Sequence, residues 1–244
     1  MNDLLKIENV SKRYLRRTAL KNVSLDVEAG RTCLLLGPNG SGKTTLMKMI
    51  AGLVKSGRGT ISLDNEPIGP VTKARIAYMP TENYFYAYMT VRDAGRYYKD
   101  FFDDFRMRKF ERLLREMELD PTARIRHLSS GMSAKLRLAL TLSRNADVMM
   151  FDEPLNGVDI LTRHQVIEAI TANRREGRTM LISTHLVDEL EDFADDAVFM
   201  KHGKIVLAGP VDKITGGRSL KDVYIDIYGH ASMPPEAASE GREA

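Results

Sequence analysis

Between Gly37 and Thr45 the sequence reads GPNGSGKTT, that is Gly37, Pro38, Asn39, Gly40, Ser41, Gly42, Lys43, Thr44 and Thr45, directly after the apolar run TCLLL. Three glycines within six positions pack nothing and are costly to order, so something must approach this backbone closely. A phosphate chain is the ligand that suits the composition. Glycines let successive N–H groups converge on phosphate oxygens that a Cβ would crowd. A helix starting at Lys43 would aim its positive end at the same oxygens. Lys43 adds a point charge for the terminal phosphates, and the Thr44 hydroxyl suits Mg²⁺. The stretch matches G-x-x-x-x-G-K-[ST], with a strand-like run before it and Leu46, Met49 and Ile50 at helical spacing after it.

Working outward, short strands and turns come first. LLKIENVSKRY and ALKNVSLDVEAG alternate apolar and polar residues, with Gly30 closing the second, and GTISLDNEPI reads as a hairpin turning at Asp64-Asn65. TCLLL, VMMFD and TMLIST are continuous apolar runs, the mark of strands buried on both faces. Helical spacing fills a charged stretch from about 91 to 119, ended by Pro121, then SAKLRLALTLSRN, the stretch from about 161 to 175, and LVDELEDFA. DAVFMKHGKIVLAGP reads as a strand pair turning at His202-Gly203. The expected fold is α/β: a parallel P-loop NTPase core with an antiparallel β subdomain and an inserted helical subdomain at about 90–145. One domain is expected over 1–229, and 230–244, polar and Pro-containing, is expected to be a disordered tail.

Composition narrows the class. The 36 basic and 33 acidic residues are interspersed, leaving a net charge of +3 and no basic tract, which argues against nucleic acid as partner. A single cysteine, Cys33, excludes an internal disulfide and points to a reducing compartment. No apolar run reaches the roughly 18 residues that cross a bilayer, and MNDLLKIENVSKRY has no signal-peptide pattern, so a cytoplasmic chain that meets a membrane through partners is expected.

Two further clusters carry chemistry. VMMFDEP ends a buried strand on Asp152, which can orient Mg²⁺, and on Glu153, which can polarise an attacking water as general base. HLSSGMSAK puts Ser129 and Gly131 at a helix start, where hydroxyl, backbone N–H and helix dipole can bind an anion. Here the chain resembles the ATP-binding-cassette (ABC) family over about residues 4–210: Leu128-Ser129-Ser130-Gly131-Met132 stands where that family has its LSGGQ-type signature, with Ser130 and Met132 as departures.

The resemblance implies ATP and Mg²⁺ as ligands. It implies Tyr14 as the adenine-stacking aromatic, Asp159 as the D-loop acid in LNGVD, and His185, after LIST, as the switch histidine that meets the γ-phosphate. The family's Q-loop glutamine is replaced by Thr81-Glu82, and either side chain, Glu82 included, has an oxygen to offer the metal. The crowded aromatics Tyr84, Phe85, Tyr86 and Tyr88 border the region that in the family receives a helix from a transmembrane subunit. The expected function is an ATPase subunit that dimerises, as homodimer or heterodimer, with ATP between one chain's P-loop and the other's signature, driving separate transmembrane subunits from the inner face of the membrane. SLKDVYIDIYG, from Ser219 to Gly229, resembles the C-terminal segment of ABC-2-type exporters. A soluble ABC-type ATPase or a regulatory nucleotide-binding module are the alternatives.

Overall fold

The computed structural model describes residues 3–15, 17–82, 84–174 and 178–229; the tail expected at 230–244 lies outside them. In chain order the elements are β1 (Asp3–Tyr14), β2 (Arg17–Glu28), β3 (Thr32–Leu36), α1 (Lys43–Ile50), β4 (Arg58–Leu63), β5 (Glu66–Pro67), α2 (Pro70–Ala74) and β6 (Ile76–Met79). Then follow α3 (Val91–Phe101), α4 (Met107–Glu116), α5 (Ser130–Leu142), β7 (Val148–Asp152), α6 (Ile160–Ala172), β8 (Thr179–Thr184), β9 (Asp196–Lys201), β10 (Lys204–Pro210), α7 (Val211–Thr215) and α8 (Leu220–Tyr228). One sheet is antiparallel, ordered β2-β1-β4-β5; the other is ordered β10-β9-β3-β8-β7-β6, parallel except for β10.

The continuous apolar strands are explained by two cores, one on each face of the parallel sheet. Leu34 and Leu36 of β3, Met149 and Phe151 of β7, and Met180 and Ile182 of β8 face the helices α3 to α6. The residues between them, Cys33, Leu35, Val148, Met150 and Leu181, face α1 and the antiparallel sheet. Alternation is present, but both sides are apolar. The two expected tight turns form: Asp64 and Asn65 have φ 53° and 64°, and His202 and Gly203 have φ 51° and 78°.

Two helical expectations are corrected. The stretch 91–119 is two helices, because Phe102 is extended and the chain turns Phe105 and Asp104 inward. Asp104 there accepts from the Arg144 guanidinium and from the Asn145 N–H at 2.9 Å. LVDELEDFA is not an α-helix but two 3₁₀ turns, 187–189 and 191–193. Its buried residues, Val187 and Leu190, are three apart, which is the 3₁₀ repeat.

α3 and α4 meet through one close contact: a Cβ added at Gly95 would lie 2.3 Å from the ring of Phe110, itself 1% exposed. Phe110→Ala is expected to lose about 3–5 kcal/mol of stability. A urea titration checks this, and a loss under about 1 kcal/mol would contradict the packing described.

Candidate functional site

β3, β8 and β7 lie side by side, with Leu36 opposite Thr184 and Asp152 opposite Ser183. Their carboxyl ends share one edge, so the segments after Leu36, Asp152 and Thr184 converge there, the usual ligand edge of such sheets. In the first segment Gly37, Gly40 and Gly42 have φ 150°, 79° and 117°. A Cβ at Gly37 would lie 2.5 Å from the Met200 carbonyl oxygen, and one at Gly42 would lie 2.8 Å from Leu20 and 2.9 Å from the Ala19 carbonyl oxygen. The close approach read from these two glycines is therefore first of all by the chain itself. Behind Gly37 the Tyr228 hydroxyl donates to Met200 O at 2.9 Å. α1 then starts with Gly42 as N-cap, without a side-chain cap and without an acid in its first turn, which leaves its positive end open.

Lys43 is the centre of the charge arrangement. It is 5% exposed, its Nζ donates to Gly37 O at 2.6 Å, and it stands 3.0 Å from Glu153 Oε1 as an ion pair. The other oxygen of Glu153, Oε2, is 2.9 Å from His185 Nδ1. Lysine, glutamate and histidine, 110 and 32 positions apart, thus form one chain of contacts. Glu153 sits in the left-handed region at φ 49°, an uncommon place for a non-glycine residue. Its N–H donates to Ser183 O at 3.1 Å and Ser183 Oγ at 3.0 Å, which anchors this turn.

Asp152 is fully buried and held by three hydroxyls. Thr44 Oγ1 at 3.0 Å and Ser183 Oγ at 2.6 Å donate to Oδ1, and Tyr78 OH at 3.1 Å donates to Oδ2. Burial, with the Asp152 charge beside it, pushes the Tyr78 phenol up, so it stays a donor. Thr81 Oγ1 donates to the Asp152 carbonyl at 3.1 Å. Sequence reasoning missed Tyr78 and Ser183; the only signal was a polar group within the apolar strands IAYM and TMLIST.

A cleft of about 420 Å³ lies in front of this arrangement, walled by Asn39, Gly40, Ser41, Gly42, Lys43, Thr44 and Thr45, with Tyr14, Arg17, Thr81, Glu153 and Asn156. Tyr14 lines the cleft and is 43% exposed. Ser41 is 3% exposed, yet its hydroxyl has no hydrogen-bond partner among the described residues. Gly37 and Pro38 form the back of the loop and give their carbonyls to Lys43, at 2.6 and 3.4 Å.

Several expected residues do not line this cleft: Asp152 lies buried behind it, and His185, beside Glu153, lines a separate pocket with Arg163 and Tyr224. Glu82 is exposed and borders a neighbouring apolar cavity of about 540 Å³, together with Pro80, Tyr84, Tyr98, Phe102 and Arg144; Thr81 reaches the cleft in its place. Gly131 and Asp159 meet each other instead, and Ser129 stands at the same helix start. Ser129 caps α5, accepting from Met132 N at 3.2 Å. Asp159 caps α6, accepting from Thr162 N at 2.9 Å and Thr162 Oγ1 at 2.8 Å, and these bonds hold its carboxyl below the usual range. A Cβ at Gly131 would lie 3.0 Å from Thr162 Oγ1, so the two helix starts are in contact. Ser129 and Ser130 are exposed.

Comparison with known proteins bears on the family and the fold. The family model described as ABC transporter matches residues 20–156. The chain belongs to the ABC transporter family. Among curated ABC relatives, the lantibiotic transport ATP-binding protein of Streptococcus pyogenes is 30% identical over 91% of this chain and 96% of its own length. An uncharacterized ABC transporter ATP-binding protein of Synechocystis is 32% identical over 81% of this chain, which spans 58% of that protein. A solved structure of an ABC transporter ATP-binding subunit superposes with a TM-score of 0.82 at 28% identity, covering 92% of this chain and 99% of the other. As an ATP-binding cassette of this family the chain is an ATPase of P-loop fold, as the sequence led us to expect. Among the described residues, no helix of this ABC protein is long and apolar enough to cross a membrane.

Proposed function

We propose that this cassette is the ATP-hydrolysing subunit of an exporter of ABC-2 type, working in pairs on the inner face of the membrane beneath separate membrane-spanning subunits. The observation that carries the reading is the pairing of Glu153 with both Lys43 and His185 at the mouth of the phosphate-loop cleft. A general base has to stand beside the group that grips the terminal phosphate, and a histidine on its second oxygen fixes its direction. Lys43 binds the phosphates, the N-terminus of α1 and the Ser41 hydroxyl add donors, and Tyr14 stacks on the base. Thr44 and Asp152 present oxygens 3.0 Å apart, hard donors that fit Mg²⁺. When bound, that ion supplies charge neutralisation on the phosphates.

Pairing is supported by the same layout. Ser129 is exposed at a helix start off its own chain's cleft, with the buried Gly131 just behind it, so the Ser129 hydroxyl and the helix end are placed to close over the nucleotide of a second copy. The apolar cavity beside Tyr84 and Phe102 is suited to a helix of the membrane subunit. The export direction rests on the resemblance of Ser219–Gly229 and on the relatives named for Nod factor export.

Purification of the tagged chain from gently solubilised membranes tests the reading. A polytopic membrane protein is expected to come with it in fixed proportion, and to raise or lower its ATP hydrolysis when removed. ATPase activity recovered with no such protein at any step would overturn the transporter assignment.

A further inference from the structure

A second polar pocket, of about 400 Å³, lies at the end of the parallel sheet remote from the nucleotide cleft. Arg178 stands just before β8 and Asn145 shortly before β7, whereas the cleft lies beyond the other ends of these strands. Six cations line the pocket with Asn145: Arg106, Arg108, Lys109, Arg112, Arg144 and Arg178. These are six of 36 basic residues in a chain of net charge only +3, and no acid is among the described residues that line it. Arg144 and Arg178, 3% and 8% exposed, form the floor, and Arg106, Arg108 and Arg112 form an exposed rim.

The pocket is electropositive at its rim, whereas its floor is partnered: Arg178 donates to Asn145 Oδ1 at 3.3 Å. Arg144 is paired with Asp104, and Arg112 with the exposed Glu116 at 3.4 Å. Arg106 and Arg108 make no ion pair among the described residues. Moreover, Arg106 is the N-cap of α4, and Arg108 and Lys109 lie in its first turn, with no side-chain cap and no acid there. That is the positive end of a helix, where cations are repelled and anions stabilised. Several guanidinium groups turned to one cavity are suited to phosphate oxygens, which they bind in a bidentate way. The volume exceeds that of one phosphate and is in the range of small-molecule sites.

We propose that this pocket binds a multiply charged, phosphate-bearing anion, apart from the nucleotide of the cleft. Arg144, held by Asp104, by Ala74 O at 2.7 Å and by the Phe102 ring at 3.8 Å, lines both this pocket and the apolar cavity and so joins the two. The phosphates come either from a soluble polyphosphate or from a phospholipid headgroup.

Two probes separate these sources: inorganic tripolyphosphate, by calorimetry with ADP in excess to fill the P-loop, and flotation with phosphatidylcholine vesicles with and without phosphatidic acid. Wild type is compared with Arg106→Gln/Arg108→Gln, two exposed sites away from the cleft, and with Lys21→Gln/Arg58→Gln, which removes equal charge elsewhere. At least one probe is expected to bind wild type, more weakly as salt rises, and to lose about tenfold or more in the Arg106/Arg108 variant alone. Binding of tripolyphosphate assigns a soluble ligand, and binding only to phosphatidic acid vesicles assigns a headgroup. If neither probe binds wild type, or if the Lys21/Arg58 variant loses as much, the proposal is wrong. The vesicle arm needs no nucleotide, so its outcome is independent of the reading of the cleft.

Discussion

Lys43→Ala is expected to weaken ATP binding by about a hundredfold or more, as measured by equilibrium titration with a fluorescent nucleotide. The side chain does three things at once. It holds Gly37 O at 2.6 Å and so shapes the loop, it stands 3.0 Å from Glu153, and it is the buried cation closest to where phosphate charge would lie. A charge-assisted contact in such a place is worth about 1.5–3 kcal/mol, and the loop geometry is lost with it. Removal also leaves Glu153, 8% exposed, with the His185 ring as its remaining side-chain neighbour. Some loss of stability follows, because an unpaired buried carboxylate is costly. Lys43→Arg separates the two effects, since it keeps a cation beside Glu153 but not the fit to the loop. Near-normal affinity in a folded Lys43→Ala protein would sink the P-loop assignment.

Glu153→Gln is the second large effect, and it runs the other way for binding. The amide is close in shape to the carboxylate and keeps an oxygen for Lys43 or His185, so ATP affinity is expected to stay within a few-fold. Hydrolysis should fall by about 10²–10⁴, the usual weight of a general base. Without hydrolysis the nucleotide remains between the two chains. With ATP and Mg²⁺ the variant should therefore elute as a dimer, whereas wild type returns to monomer as it turns over. Elution only as monomer would mean that Ser129 and Gly131 do not close on a second chain's nucleotide. Unchanged hydrolysis would instead remove Glu153 from the chemistry.

The cleft was legible because its parts are local. GPNGSGKTT carries loop, cation and hydroxyl within nine residues, and Asp152-Glu153 ends a strand that hydrophobicity alone defines. What could not be read is whatever depends on strand neighbours. Ser183 reaches Asp152 only because β8 lies beside β7, and Tyr78 only because β6 lies on the other side. The glycines were read correctly as sites of close approach, but nothing in the local sequence said that Met200 and Ala19 would be the neighbours. The misread helix at 187–193 has the same cause. Its acidic residues allow either helix, and contacts with the C-terminal segment, Leu220 N to Glu191 Oε1 at 2.6 Å and Lys221 to Asp188 at 2.7 Å, decide for the tighter turns. Thr81 and Glu82 are adjacent in sequence, and only the direction of the backbone tells which one meets the cleft.

The backbone at Glu153 has a consequence for how this protein responds to selection in the laboratory. At φ 49° a glutamate is under strain of about 1–2 kcal/mol that glycine escapes and asparagine largely escapes. Its carboxylate is also nearly hidden from solvent. Asn or Gly there would relieve the backbone but take the carboxylate away from Lys43, itself 5% exposed, so a library sorted for heat resistance alone sets backbone relief against a broken buried ion pair. Sorting for turnover and for heat resistance together is needed to keep a working enzyme.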